Sequence, residues 1–348
     1  MAQSSRSSRS RSDWRRRVRE PASSSIKPPP SSKRFRRVPI EHLESAGSEL
    51  LLALLTDGAV VLVGGATERS IIANLYDSCR KFFALPFDAK AQSGAASGPG
   101  QLHGYMEYLT DPEGSECFEA KLHHDPRFVW PTRPASMRAA VLNARRMLIR
   151  HACSALFALV DALGLDGEYV ASLLDADDEG RSIDFERCSH TAMRVWQYTH
   201  GRPTGWHVDN GFVTLAPRGT SVGLRVRTLS DRGHVCFPEE EMEEGELLLF
   251  AGDALSYITD GKVPSLMHEV HPPAGSGQRG VARLSAPLFL RGRHAAELRS
   301  SEGSSGLPPL KIATLEKNVG NLRQSWPWKR PGAPLAAYYG ASEWHAET

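Results

Sequence analysis

A chain of 348 residues with 41% hydrophobic side chains can bury a full core, as one large domain or two closely joined parts. Its net charge of +2 hides an asymmetry: residues 1–37 hold 12 Lys/Arg against Asp13 and Glu20, leaving 30 basic and 38 acidic residues for the rest. That mildly acidic remainder gives no broad nucleic-acid signal, and five scattered cysteines without a CxxC pair argue against a disulfide framework or structural zinc and for a reduced, cytoplasmic setting.

Residues 1–37 are Ser/Arg-rich, then Pro/Ser-rich, and are expected to be a disordered tail, because so few apolar side chains cannot offset the entropy of ordering. An inert solvated tail, an organelle transit peptide, and a nuclear-import or RNA-contacting segment all fit that composition. No secretory apolar region is present, and the most apolar stretch, residues 50–63, is interrupted by Asp57 and Gly58 and is too short to span a bilayer. No membrane partner is expected.

Folded structure is expected from Val38. Residues 49–55 read as the end of a short helix, and residues 59–63 as a buried strand favoured by its β-branched side chains. Thr67 is placed to cap a helix whose apolar positions Ile71, Ile72, Leu75, Cys79, Phe82 and Phe83 recur at helical spacing, with Pro86 as its stop. Residues 92–101 are rich in Gly, Ser and Ala and read as a loop. His103 and Tyr105 fit either a substrate entrance or a surface loop, and Lys121, His123 and His124 follow a strand-like run at 116–121. Residues 136–163 form the longest periodic element, with Val141, Leu142, Leu148, Cys153, Leu156, Leu159, Val160 and Leu163 on its apolar face and Gly164 ending it.

From residue 192 to 290 the chain turns into short strands separated by Gly, Pro and Asp, and here the chemistry-bearing motifs lie. His207-Val208-Asp209 is followed by His268 and then by Arg283-Leu284-Ser285. Side chains at i and i+2 share one face of a strand, so His207 and Asp209 face the same way if residues 205–215 are extended, and so do Arg283 and Ser285. Two imidazoles and one carboxylate can fill one face of an octahedral iron and leave three positions open. An Arg and a Ser beside them can hold a carboxylate. HxD or RxS alone carries little, but the ordered set, with the strand-and-turn run 245–253 between its halves, points to a non-haem Fe(II) oxygenase. Asp253 reads there as a turn residue bonded to its own backbone.

Several stretches together resemble the isopenicillin N synthase-like family of 2-oxoglutarate/Fe(II)-dependent dioxygenases. They are Val38-Pro39-Ile40, residues 55–63 and 80–86, Met193-Arg194-Val195-Trp196-Gln197-Tyr198, residues 205–215, Gly252-Asp253, residues 259–262 and 265–270, and Arg283-Leu284-Ser285. The resemblance covers roughly residues 38–292. It implies a mixed α and β protein with a double-stranded β-helix (jelly-roll) core and an N-terminal helical part packed against it. The implied division is 1–37 tail, 38–180 mainly helical N-terminal domain, 181–292 jelly-roll core and 293–348 C-terminal extension, the last containing Trp326, Trp328 and Trp344. The implied metal is Fe(II) on His207, Asp209 and His268. The implied cosubstrate is 2-oxoglutarate, with Arg283, Ser285 and Tyr198 on its far carboxylate. Plant members commonly carry Asn where this chain has Trp196, which removes an amide and reshapes the pocket. The Gly/Pro-rich run 272–280 reads as an extended hairpin loop.

The activity implied is oxidation, by default hydroxylation, of a small organic substrate with release of succinate and CO2. Two other readings stand beside it: an Fe(II) oxidase of the same fold that does not use 2-oxoglutarate, and a catalytically silent binding protein with an RNA-contacting tail.

Overall fold

Ala59-Val60-Val61-Leu62-Val63 is a run of small and branched apolar residues, and such a run is stable as a strand buried on both faces. The computed structural model describes residues 34–93, 104–107, 115–121, 128–174, 191–199, 204–229, 234–271, 282–301 and 308–315. Its elements in chain order are β1 (Arg37–Pro39), α1 (Gly47–Thr56), β2 (Ala59–Val63), α2 (Ala66–Phe83), α3 (Phe87–Ala91), β3 (Gly104–Glu107), β4 (Ser115–Lys121), α4 (Met137–Leu163) and α5 (Gly167–Leu173). Then come β5 (Ala192–Tyr198), β6 (Val213–Pro217), β7 (Leu224–Arg227), β8 (Val235–Cys236), β9 (Leu247–Ala251), α6 (Asp253–Ile258), β10 (His268–Val270), β11 (Arg283–Ser285), β12 (Leu288–Leu290), β13 (Glu297–Leu298) and β14 (Leu310–Lys311).

Nine strands form one sheet in the order β1-β2-β9-β6-β12-β5-β4-β3, with β11 also paired to β5. Only β1 and β2 run parallel; the other pairings are antiparallel. A second sheet has the order β10-β7-β8. An apolar cluster joins the two, with Leu224 and Val226 of β7 meeting Ala59, Val61, Leu248 and Phe250. The opposite face of the large sheet packs on helices, where Met193, Val195, Leu215 and Leu288 share one core with Leu148, Leu156, Leu159 and Val160 of α4. Alternation along β5 thus assigns Met193 and Val195 to the helical layer and leaves Trp196 and Tyr198, spaced by two, on one side of the strand.

The helix expected over 136–163 is α4. Gly164 ends it in the left-handed conformation (φ 65°), its N–H bonding back to Val160 and Asp161. Helix α2 starts one residue before Thr67: Gly65 is its N-cap, and Glu68 reaches back to accept from the Gly65 N–H at 2.9 Å. After α2, Pro86 does more than stop a helix, since it also leads into α3. Tyr105 lines neither an entrance nor an exposed loop. It is buried on the helical side, where its hydroxyl donates to Glu116 Oε1 at 2.5 Å and its ring meets Phe82 edge-on.

The fold begins earlier than Val38. Phe35 is buried in the intersheet cluster, the Arg34 N–H donates to Glu241 Oε2 at 2.6 Å, and Arg37 pairs with buried Glu246. Residues 38–180 hold α1 to α5 together with strands. They contribute β1 to β4 to the large sheet, and the described residues from Arg34 onward form one compact unit. At the other end Leu298, Leu310, Ile312 and Leu315 join the helical core. Residues 1–33, His103, His123, His124, residues 272–280 and Trp326, Trp328 and Trp344 lie outside the described residues. Among the described residues, no helix is long and apolar enough to cross a membrane.

Burial of Phe35 gives a direct test of where the fold begins. Phe35→Ala should cost about 3–5 kcal/mol, as for a large core truncation. It should appear as a lower denaturant midpoint with an unchanged slope. An unaltered midpoint would return Phe35 to the tail.

Candidate active site

His207 does not sit in a long strand. Of the expected 205–215 run only residues 213–215 lie in a regular strand, the start of β6 (Val213–Pro217), and Gly205 takes φ 76°, a turn that breaks the extended chain. His207 instead makes an isolated antiparallel bridge with His268, and each N–H donates to the other's carbonyl oxygen at 2.9 Å. The bridge prolongs the β10–β7 pairing, in which His268 faces Val226. Residues opposed across an antiparallel pair project to the same side. The two imidazoles accordingly lie 4.3 Å apart between ring centroids, and the Phe250 ring is 4.9 Å from that of His268.

The hydrogen bonds of the two rings fix their tautomers. His207 Nδ1 is 2.8 Å from the Gly205 carbonyl oxygen, and His268 Nδ1 is 3.1 Å from that of Leu266. A carbonyl oxygen only accepts, so each Nδ1 carries a proton, and Nε2 is the nitrogen of each ring left to face a metal. Asp209 is buried next to them, with Oδ2 3.7 Å from His268 Nε2. One ligand atom from each of His207, Asp209 and His268 lies within 4.8 Å of the others, and no other such group occurs among the described residues. Burial by itself would raise the Asp209 carboxyl, but His268, His207 and the Thr214 hydroxyl outweigh it and hold the group below its ordinary value. It is therefore ionised at neutral pH, as a metal ligand must be.

Asp209 has two supports whose roles do not show in sequence, one on its carboxylate and one on its backbone. Thr214 Oγ1 donates to Asp209 Oδ2 at 2.6 Å from β6, the strand that follows. The Asp253 N–H donates to the Asp209 carbonyl oxygen at 2.8 Å. Asp253 is not a turn residue bonded to its own backbone: it opens α6, is fully buried, and accepts from Ser265 Oγ at 2.7 Å.

Arg283, Ser285 and Tyr198 come together on adjacent strands, with Arg283 facing Tyr198 and Ser285 facing Trp196 in the β11–β5 register. Arg283 is 1% exposed. Its Nε donates to the Ser221 carbonyl oxygen at 3.0 Å, its Nη2 donates to Glu239 Oε1 at 2.8 Å, and its Nη1 is buried with no hydrogen-bond partner among the described residues. The guanidinium carbon lies 5.4 Å from the Tyr198 ring centroid. Burial pushes the Tyr198 phenol well above its usual range, and a hydrogen bond with Ser285 only partly offsets this, so Tyr198 remains a neutral hydroxyl. Trp196 stacks on Tyr198 at 5.8 Å and 20° between planes. Glu239, the carboxylate on Arg283, gives no signal in the sequence because it sits among other acidic residues in a loop-like run.

A cluster of two imidazoles and one carboxylate is the donor set used by non-haem iron oxygenases. The comparisons agree. The chain is 26% identical over 297 residues to validamycin A dioxygenase of Streptomyces hygroscopicus subsp. limoneus, covering 77% of this chain and 79% of that protein. It is 22% identical over 282 residues to the 2-oxoglutarate-dependent dioxygenase ecdK of Aspergillus rugulosus, covering 70% and 82%. Its fold matches that of a full-length Neurospora crassa protein solved in complex with alpha-KG, with a TM-score of 0.64 at 17% identity, over 82% of this chain and 96% of that one. No family model matches. The chain is thus similar in sequence to dioxygenases that include 2-oxoglutarate-dependent ones.

Support of the Asp209 carboxylate by Thr214 is open to measurement. Thr214→Val keeps the shape and removes the donor, and such outer contacts typically carry roughly 10–100-fold in metal affinity. Anaerobic titration with Fe(II) should show affinity reduced by about tenfold or more. Wild-type affinity in the variant would mean the hydroxyl does not orient Asp209.

Proposed function

We propose that this protein is an Fe(II)- and 2-oxoglutarate-dependent dioxygenase that hydroxylates a small organic substrate and releases succinate and CO2. One observation carries the reading: three metal-competent side chains converge within 4.8 Å in a fold that also buries a guanidinium with an unused nitrogen. His207 and His268 would bind Fe(II) through Nε2, and Asp209 through its carboxylate. With neutral rings and one carboxylate, the site retains a net positive charge that favours a dianionic cosubstrate.

The residues fit that cosubstrate. A buried donor without a partner costs roughly 1–3 kcal/mol, and Arg283 Nη1 is such a donor. A carboxylate placed there would satisfy it, with the Tyr198 and Ser285 hydroxyls as further donors. When bound, iron and 2-oxoglutarate supply oxygen activation and the oxidising power for a C–H bond. The chain's share is position and shielding. Asp209, His268, Tyr198, Ser285 and Arg283 are buried and His207 is half-buried, so the chain shields the cosubstrate side of the site while His207 stays nearer solvent.

We read the two sheets as the halves of a double-stranded β-helix, centred on residues 181–292. On this reading the described residues before 175 supply the helical layer and four strands, and Leu298, Leu310, Ile312 and Leu315 extend the core. Relatives named for small organic compounds support a small-molecule substrate. Trp196, stacked on Tyr198, gives this chain an aromatic wall on the cosubstrate side. The four described cysteines are unpaired by disulfides, which fits our reading of a reducing cytoplasmic setting.

Oxygen uptake and succinate release, measured with Fe(II) across a panel of small metabolites with and without 2-oxoglutarate, test the reading. Succinate should form only with 2-oxoglutarate, and His207→Ala or His268→Ala should abolish both signals together with Fe(II) binding at micromolar metal. Oxygen uptake without succinate would replace this reading with the oxidase.

The cosubstrate contacts predict a graded series. Arg283→Lys keeps charge but loses the planar donor set, and should raise the apparent Kd for 2-oxoglutarate about tenfold or more, or at least about 1.4 kcal/mol. Tyr198→Phe removes one hydrogen bond and little volume, and should cost about 0.5–1.5 kcal/mol. Iron affinity should stay constant in both variants. Equal losses of iron and cosubstrate binding would place these residues elsewhere than on the far carboxylate.

A further inference from the structure

Glu239 lies in a single 3-10 turn, Pro238–Glu240, after β8, and is 2% exposed. Its Oε2 accepts from the N–H groups of Gly223 at 2.7 Å and Leu224 at 2.8 Å. Its Oε1 accepts from the Gly219 N–H at 2.9 Å and from Arg283 Nη2 at 2.8 Å. Four donors converge on two oxygens, an arrangement that suits only the ionised carboxylate. Three of the four belong to backbone, so Glu239 is held in place independently of the arginine it binds.

The loop that holds Glu239 is moulded around the guanidinium. A Cβ at Gly219 would lie 2.7 Å from Glu239 Oε1 and 2.9 Å from Arg283 Nη2. A Cβ at Gly223 would lie 2.5 Å from Arg283 Nε and 2.7 Å from its Cδ. Those are contacts that a side-chain-bearing residue cannot make without displacing the pair. Ser221, between the two glycines, accepts the Nε–H hydrogen bond at its carbonyl oxygen. Two of the three guanidinium nitrogens are thereby committed, and the third, Nη1, is left buried without a partner among the described residues.

We infer that Glu239 is a positioning residue for the cosubstrate, fixing Arg283 in one rotamer so that Nη1 marks a set distance from the iron ligands. The inference rests on the functional reading above. A free arginine would follow a carboxylate over several ångströms, because its stem has four rotatable bonds. One clamped at Nε and Nη2 does not follow. The clamp also neutralises the guanidinium, so the far carboxylate is selected by where it reaches more than by net attraction. Chain length then becomes the selected quantity. The five-carbon 2-oxo diacid is favoured over a homologue one methylene longer, whose far carboxylate overshoots.

Calorimetric titration of the full chain loaded with Mn(II), a redox-silent stand-in, reads this without turnover. The ligands are 2-oxoglutarate and 2-oxoadipate. Wild type should bind the first more tightly than the second. Glu239→Gln puts an amide against the donors, and should weaken 2-oxoglutarate about tenfold or more, equivalent to about 1.4 kcal/mol. The ratio between the two acids should shrink, while Mn(II) affinity is kept. In an Arg283→Gln background, Glu239→Gln should add no further loss, since it acts through the arginine. Glu239→Asp, which keeps the charge and shortens the reach, should move the ratio in the same direction by less, and serves where the Gln variant does not fold. An unchanged ratio in the folded variants, or losses that simply add in the double variant, would overturn the positioning role while leaving the functional reading intact. Wild type that binds neither acid would bring down both.

Discussion

Two backbone hydrogen bonds organise the site. His207 and His268 are far apart in sequence, yet each donates its N–H to the other's carbonyl oxygen at 2.9 Å. Entropy opposes closing such a loop, but the cost grows only slowly with length. The β10–β7 pairing brings the second histidine to the place where the bridge can form. Once it does, the imidazoles must project to one side, and Asp209, two residues on, is within reach of both. Neither ring is then held by its own rotamer preference alone, because a neighbouring carbonyl fixes each Nδ1.

What can be read from sequence is whatever depends on spacing. The HxD pair, His268 and the Arg283/Ser285 pair can be picked out because the proposed ligand chemistry asks for those residue types in that order, and strand β2 and helix α4 because their apolar patterns have clear periods. The strand expected over 205–215 fails because alternation looks the same in a strand and in a turn-broken segment with one bridge. Only the positive φ of Gly205 separates them. Thr214, Ser265 and Glu239 are not legible at all. Their roles come from hydrogen bonds to residues on other elements, and nothing local distinguishes a Thr that supports a carboxylate from one that fills a strand. Phe35 is missed for a related reason: a single apolar residue among arginines looks solvated until a second sheet covers it.

The interior between the sheets has two characters. One part is the apolar cluster of Val61, Val226, Leu248, Phe250 and their neighbours. The other holds ionised groups that are each matched by donors: Asp209 by Thr214, Glu239 by Arg283 and three backbone N–H groups. Charges buried without such matching would cost several kcal/mol each. The charged groups of the polar part can be buried because their partners are built in, and burial is what makes a fixed guanidinium and a fixed carboxylate effective at short range.

Rigidity reaches the site from the helical side. Met193 and Val195 are locked into the core against α4, which restrains the strand that carries Trp196 and Tyr198. The metal end is braced differently. A Cβ at Gly252 would stand 2.4 Å from the Gly211 carbonyl oxygen and 2.8 Å from that of Asp209, so the end of β9 presses directly on the chain that bears the carboxylate. Only a residue without a side chain permits that approach, and it brings the Asp253 N–H onto the Asp209 carbonyl oxygen. The Gly252-Asp253 pair, which in sequence looks like punctuation after a strand, is thus part of what holds Asp209 against the two histidines.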